Sequence, residues 1–242
     1  MKVIVTKNAN EMGIQAAEMV AEIVRNKPDA VLGLATGSTP IPMYAELCRM
    51  HREEGLDFSK IRTFNLDEYV GLSENDPQSY HYFMKENLFS KINIPEENTH
   101  VPDGNVADPT AFGAQYEDMI RKEGGVDVQI LGIGENGHIG FDEPAEELMV
   151  HTGLVNLTDS TIAANARFFD SPADVPTQAI TMGIGTIMRA KKVIIVANGL
   201  KKHDVIKRIC EREFISTWTP VSILFLHPDA TLIVDELAYH GE

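Results

Sequence analysis

The sequence predicts a single α/β domain with an open, mainly parallel sheet and helices on both faces. Three observations lead there. Short β-branched apolar runs alternate with stretches whose apolar residues recur at helical spacing. One of those runs, "AVLGLA", is continuously apolar, as a strand covered on both faces is. No internal repeat and no Pro/Gly/Ser-rich linker divides the 242 residues, a length that one large domain accounts for.

In chain order, "KVIV" (Lys2–Val5) is the first expected strand. It leads into an amphipathic helix from Asn10 to Arg25, with Ile14, Ala17, Ala21 and Val24 on one face. "AVLGLA" (Ala30–Ala35) is the next strand, and a helical pattern follows from Ile41 to Glu54. "IRTFNL" (Ile61–Leu66) is a third strand, and helical patterns fit Gln78–Ser90 and Pro109–Lys122. "VDVQILGIG" (Val126–Gly134) and "KKVIIVANG" (Lys191–Gly199) continue the strand series. The apolar runs "VSILFLH" (Val221–His227) and "ATLIVDE" (Ala230–Glu236) close it. The pattern is that of a Rossmann-like sheet, in which ligands bind outside the carboxyl ends of the strands.

Composition narrows the function classes. The formal net charge is −15, so nucleic acid is not an expected partner, because phosphate backbones require clustered Lys and Arg. A small anion remains compatible if a local pocket of backbone N–H groups and a few cations receives it. Cys48 and Cys210 stand far apart with no CxxC spacing, which fits two reduced thiols in the cytoplasm. No signal-peptide pattern is visible, and no apolar run approaches the roughly 18 residues of a membrane span.

The segments after the strands carry the chemistry. "TGSTP" (Thr36–Pro40) is glycine- and hydroxyl-rich and runs into a helix start, which suits an anion cradle as well as a plain capped turn. It is neither a Walker A nor a GxGxxG motif. Asp67 and Glu68 follow the third strand. If extended they point to opposite sides and are poor partners for one shared proton, but one of them can face a ligand as a lone base. The stretch "GIGENGHIGFDEP" (Gly132–Pro144) sets one imidazole, His138, in a glycine-rich loop at a strand end, a place suited to proton transfer near neutral pH. It lacks the HExxH register, and no second close His or Cys completes a metal site. Lys201 and Lys202 open an expected helix, where cations oppose the helix dipole unless an anion is present. Arg167, in "ANARFFD" (Ala164–Asp170), suits bidentate phosphate recognition or stacking on a neighbouring phenylalanine.

Together these stretches resemble the glucosamine-6-phosphate deaminase family. "LGLATGSTP", "TFNLDEYVGL", "SYHYFM", "LGIGENGHIGFDEP", "ANARFF", "AITMGIGTI" and "LHPDA" occur in the family's order and cover nearly the whole chain. The resemblance implies conversion of glucosamine 6-phosphate and water to fructose 6-phosphate and ammonia, with no metal or organic cofactor. It implies that His138, oriented by Glu143 and Asn136, opens the sugar ring. Asp67 then moves the C2 proton to C1 through an enolamine. Thr36, Gly37, Ser38, Thr39, Arg167 and Lys202 would hold the substrate phosphate. The partner implied is thus a small sugar phosphate, with no nucleic acid or membrane, and a protein that works as a monomer or a homo-oligomer.

Two positions depart from common family patterns. Asn136 stands where many members carry aspartate, so His138 is expected to rely more on Glu143. Glu146 and Glu147 occupy the segment where regulated members bind an N-acetylated sugar phosphate, and the sequence ends with "DELAYHGE". Activation by N-acetylglucosamine 6-phosphate is therefore not expected. A 6-phosphogluconolactonase-like hydrolase and a sugar-phosphate-sensing domain are the alternatives. The first is expected to lack "NLDEYVGL" and its base, and the second to lose the catalytic acids.

Overall fold

A computed structural model of the chain describes residues 1–166, 169, 171, 174–212 and 214–241, apart from the side chains at 160, 164, 165 and 212. The main sheet has seven strands: β1 (Lys2–Thr6), β2 (Val31–Leu34), β3 (Arg62–Asn65), β5 (Thr99–His100), β6 (Val128–Leu131), β9 (Lys192–Ala197) and β10 (Ala230–Asp235). Their order is β1-β10-β9-β6-β2-β3-β5, and every pairing is parallel. The expected strands fall on this sheet, with one exception. Helices cover both faces.

The helices begin and end where local chemistry dictates. In α1 (Ala9–Asn26), Asn8 caps the N-terminus by accepting from the Glu11 N–H, and Met12, Ala16, Ala17, Val20, Ala21 and Val24 form the buried stripe. Helix α2 (Ile41–Glu54) starts at a Pro40/Pro42 pair and stops at Gly55, whose φ of 70° is left-handed. The two pack so closely that a Cβ on Gly13 would lie 2.4 Å from the Pro42 Cβ. Ser79 caps α3 (Tyr80–Asn87), which ends earlier than the sequence pattern and passes into a 3₁₀ turn at Phe89–Lys91. Asp108 caps α4 (Pro109–Lys122), which has Pro109 in its first turn.

The exception is "VSILFLH". Residues Pro220–Leu226 form a 3₁₀ helix rather than a strand. Pro220 fixes its own φ and offers no N–H to a ladder. Val221 and Leu224, three residues apart, are the fully buried apolar side chains of the segment, a helical spacing hidden inside a mostly apolar run.

A second sheet, not foreseen, holds the short strands β4 (Asp67–Tyr69), β7 (Gly153–Asn156) and β8 (Gln178–Thr181) in the antiparallel order β4-β8-β7. The chain leaves the main sheet at Leu66, which still donates its N–H to Leu34 O at 3.0 Å, and Met182 N–H then donates to Leu66 O at 2.8 Å. Asp67 lies opposite Thr181 in this small sheet. The chain is completed by α5 (Asp159–Asn165), α6 (Ile184–Met188), α7 (His203–Arg212) and α8 (Glu236–His240).

Strand order also locates the binding crevice. From β2 the chain builds outward through β3 and β5 on one side, and through β6, β9 and β10 on the other. The direction reverses between β2 and β6, and an open α/β sheet offers its ligand cleft at such a reversal. The loops that leave β2 and β6 are Thr36–Pro40 and Gly132–Pro144.

Candidate active site

The loop after β6 is a chain of tight turns. Gly137 N–H donates to Gly134 O at 3.0 Å, and Gly134 N–H donates to His138 O at 2.9 Å. Gly137 has φ +92°, which strongly favours glycine, and the His138 ring lies against Gly134 so closely that a Cβ there would sit 2.3 Å from Nδ1. The loop is anchored from the far side by Val221 N–H, which donates to Gly137 O at 2.9 Å. This is the work done by the segment that turned out to be 3₁₀.

His138 is half-buried, and its Nδ1 stands 3.3 Å from Glu143 Oε1, an ion-pair distance without the alignment of a hydrogen bond. Glu143 is held on several sides. Thr161 donates its hydroxyl to Oε1 at 2.5 Å, and Asn136 donates its amide to Oε2 at 2.7 Å. Burial pushes the Glu143 carboxyl up, but the imidazole, hydroxyl and amide outweigh it and bring it down to about 2. Glu143 is therefore a fixed anion facing the imidazole.

Asn136 does not touch the ring. Its Oδ1 accepts from the His138 backbone N–H at 3.1 Å while its Nδ2 serves Glu143. The Asn136 amide thus acts on Glu143, the group on which His138 was expected to rely, and stabilises its charge, where an aspartate would repel it.

Asp67 is buried at 6% exposure, and burial, with the neighbouring Glu68 charge adding to it, pushes its carboxyl up to about 8. Glu68 has a different task. It is also buried and accepts from Tyr69 N–H, Tyr80 N–H and His81 N–H at 2.8, 3.0 and 3.0 Å, closing the N-terminus of α3. The adjacent acids therefore separate as extended backbone requires, one towards the helix and one towards the crevice. Two contacts join Asp67 to the histidine loop. Phe141 N–H donates to Thr181 Oγ1 at 3.1 Å, and a Cβ on Gly140 would lie 2.9 Å from Thr181 Oγ1 and 3.6 Å from Asp67 Oδ2. Thr161, Thr181 and Asp142 had no role in the sequence reading. Thr161 lies in a helix-capping pattern that says nothing of Glu143, and Asp142 sits unmarked inside the recognised motif.

Of the expected phosphate groups, Thr36–Thr39 form the turn between β2 and α2, with Gly37 at φ +88° and Ser38 exposed. Helix α2 has no side-chain cap and no acid in its first turn, so no side chain there offsets the positive end of its dipole. Lys202 lies in a 3₁₀ turn at Leu200–Lys202 rather than inside the helix, and that turn follows β9, the neighbour of β6. Arg167 lies outside the described residues.

Residues 6–233 match the model of the family described as glucosamine-6-phosphate isomerases/6-phosphogluconolactonase. The chain belongs to this isomerase/lactonase family. Within it, a glucosamine-6-phosphate deaminase of Halothermothrix orenii is 53% identical over 238 residues, 98% of each chain. One from Clostridium perfringens strain 13 is 52% identical over 236 residues, 98% of this chain and 97% of its own. The solved structure of a monomeric glucosamine-6-phosphate deaminase superposes with a TM-score of 0.96 at 42% identity, covering 98% of both chains. A 6-phosphogluconolactonase from Trypanosoma cruzi shares the fold at a TM-score of 0.77 and 22% identity.

Proposed function

We propose that this chain converts glucosamine 6-phosphate and water to fructose 6-phosphate and ammonia. One observation carries the reading: a buried carboxyl of high proton affinity, Asp67, is locked through Thr181 to the loop that bears the His138–Glu143 pair. The deaminase relatives near 50% identity over the full chain support it.

The reaction divides between the two groups. His138 takes the proton of the C1 hydroxyl and returns one to the ring oxygen, and Glu143 stabilises the imidazolium in between. Asn136 and Thr161 keep that carboxylate charged and in place. In the open chain, Asp67 takes the C2 proton to give an enolamine and returns it to C1, leaving an imine at C2. Water adds to the imine and ammonium departs. A carboxylate is a weak base towards carbon, and burial raises the proton affinity of this one towards the working pH. The turn Thr36–Thr39 with Lys202 and Arg167 anchors the phosphate, so that binding energy remote from the chemistry orients C1 and C2. All groups invoked belong to one copy of the chain. A charged substrate of this kind is retained in the cytoplasm, where we place the reaction. Among the described residues, no helix is long and apolar enough to cross a membrane.

The test is direct. Purified protein is incubated with glucosamine 6-phosphate and, separately, with 6-phosphogluconolactone. Ammonia and fructose 6-phosphate should form in equal amounts from the first, and the second should hydrolyse no faster than its background. Lactone hydrolysis without ammonia release would replace this reading with the lactonase one.

A further inference from the structure

Helix α4 touches both sheets through consecutive side chains. Tyr116 donates its hydroxyl to Asn65 O at 2.9 Å and to His100 O at 3.1 Å, at the ends of β3 and β5 in the main sheet. Glu117, which takes no part in the mechanism above, turns to the elements that flank the small sheet. Its Oε1 accepts from the Thr152 N–H at 2.8 Å, from the Thr152 hydroxyl at 2.7 Å and from the Thr186 hydroxyl. Its Oε2 accepts from the Arg189 guanidinium at 2.6 Å. Thr152 immediately precedes β7, and Thr186 and Arg189 belong to α6 and its C-cap, just after β8.

This differs from a solvated surface ion pair. The Glu117 side chain is 11% exposed, against 53% for Arg189, and three of its four bonds come from the two threonines. Burial pushes the Glu117 carboxyl up, but the Thr186 and Thr152 donors and the Arg189 charge outweigh it and hold it below its ordinary value. Helix α4 also lies directly on the same segment, since a Cβ on Gly113 would meet Thr152 O at 2.1 Å. From the other side, Ile184 N–H donates to Met149 O at 2.8 Å and Thr186 N–H to Val150 O at 3.1 Å. Residues 149–152 are thereby pinned between α4 and α6.

The pinned segment leads to the base. Gly153, next to Thr152, pairs with Thr181 across β7 and β8, and Thr181 pairs with Asp67 across β8 and β4. In the other direction along the chain, Asp67 stands two residues from Asn65, which Tyr116 holds. We propose that Glu117 is a positioning residue for the C2 proton transfer: from α4 it sets, through Thr152 and Thr186, where the small sheet holds Asp67. Bonds to a charged acceptor are about twice as strong as neutral ones, and removing that acceptor leaves buried donors unpaired. Strand β4 is three residues long and takes its place from β8. A shift of the small sheet therefore carries Asp67 away from C2, and a misplacement of about 1 Å can cost about a hundredfold in rate. The printed contacts of Glu117 reach neither the Thr36–Thr39 turn nor the Gly132–Pro144 loop, so phosphate binding and ring opening stay as they are.

This inference rests on the deaminase reading, and the test separates the two. A wild-type protein that releases no ammonia from glucosamine 6-phosphate would end that reading; the outcomes that follow concern a wild type that does. Steady-state kinetics are measured for E117A, E117Q and T186V, with binding sites counted by calorimetric titration with fructose 6-phosphate. In E117A, kcat per site should fall about tenfold or more while KM changes by less than about twofold. With substrate deuterated at C2, the isotope effect on kcat should be no smaller than in wild type, because the step that slows is the one that breaks that bond. E117Q keeps an acceptor for the two threonines and should recover most of the loss. T186V removes one donor at nearly constant volume and should lose about threefold, so it carries the test if E117A does not fold. A clamp that serves stability alone would lower the number of sites and leave kcat per site at the wild-type value. That result, in folded E117A or in T186V, would overturn the proposal. So would an isotope effect that shrinks, since the loss would then lie in ring opening or imine hydrolysis.

Discussion

Asp67→Asn tests the electrostatic strain stored at the centre of the site. Asparagine has nearly the shape of aspartate and no titration in this range, so the variant differs from wild type chiefly in its dependence on pH. In the unfolded chain the Asp67 carboxyl ionises near its ordinary value of 3.8, whereas in the folded protein burial holds it protonated to about 8. A group raised in the folded state contributes stability that is fully present below its unfolded value and is lost as pH climbs towards the folded one. Between pH 5 and pH 7 the unfolded carboxyl is ionised while the folded one stays mostly protonated. The loss over those two units is about 1.4 kcal/mol each, or about 3 kcal/mol in all. Urea unfolding of both proteins at pH 5 and pH 7, at matched ionic strength, measures it. D67N should gain about 3 kcal/mol relative to wild type between the two pH values, whatever the offset at pH 5. Stability curves that run parallel would refute the reasoning. They would mean that Asp67 ionises normally and that its strength as a base has another origin.

Further variants test the remaining parts. Glu143→Gln removes an anion whose carboxyl is held down to about 2, so it should cost up to about 3 kcal/mol at neutral pH. That deficit should shrink as pH falls towards 3, because Glu143 contributes above its unfolded value and loses the contribution on protonation; acid titrations of thermal unfolding would show it. Asn136→Asp places a second carboxylate where an amide now donates to Glu143 at 2.7 Å. It should lower kcat/KM severalfold below neutral pH and restore it above, as a pH–rate profile would reveal. Gly113→Ala forces a Cβ to 2.1 Å from Thr152 O, between α4 and the approach to β7, and should cost about 2 kcal/mol or more in a thermal melt. Lys202→Ala should raise KM for glucosamine 6-phosphate about tenfold or more with a smaller change in kcat, in steady-state kinetics.

What the sequence made legible follows the range of the forces involved. Helices α2 and α4 are found at their observed boundaries because Pro40, Pro42, Gly55 and Asp108 act within a turn of the backbone they terminate. Strands β2, β6, β9 and β10 stand out because burial on both faces leaves them mostly apolar, with Gln129, Lys192, Thr231 and Asp235 as the exceptions. The small sheet is invisible because β4 is three residues long and its partner, Thr181, lies more than a hundred residues away. "VSILFLH" misleads because a short apolar run carries no period that distinguishes a strand from a tight helix. At the site, Asp67, His138 and Glu143 are recognisable from motifs. The double duty of Asn136, the hold of Thr161 on Glu143 and the burial of Asp142 are not, because each depends on which atom faces which after the chain has folded.

The division of the chemistry between two sheets has a dynamic consequence. Asp67 rides on an edge strand of the small sheet, while His138 is carried by the main one. Their alignment is maintained by a few links, among them Phe141 N–H to Thr181 Oγ1 and Met182 N–H to Leu66 O. Fraying of three short strands is a shallower excursion than melting of the seven-stranded core. The proposed active centre should therefore open at a lower free-energy cost than the seven-stranded core. A sugar phosphate bound across the crevice should act as a clasp on this seam, and its occupancy should be written in the protection of β4 and β8 amides rather than in those of β9 and β10.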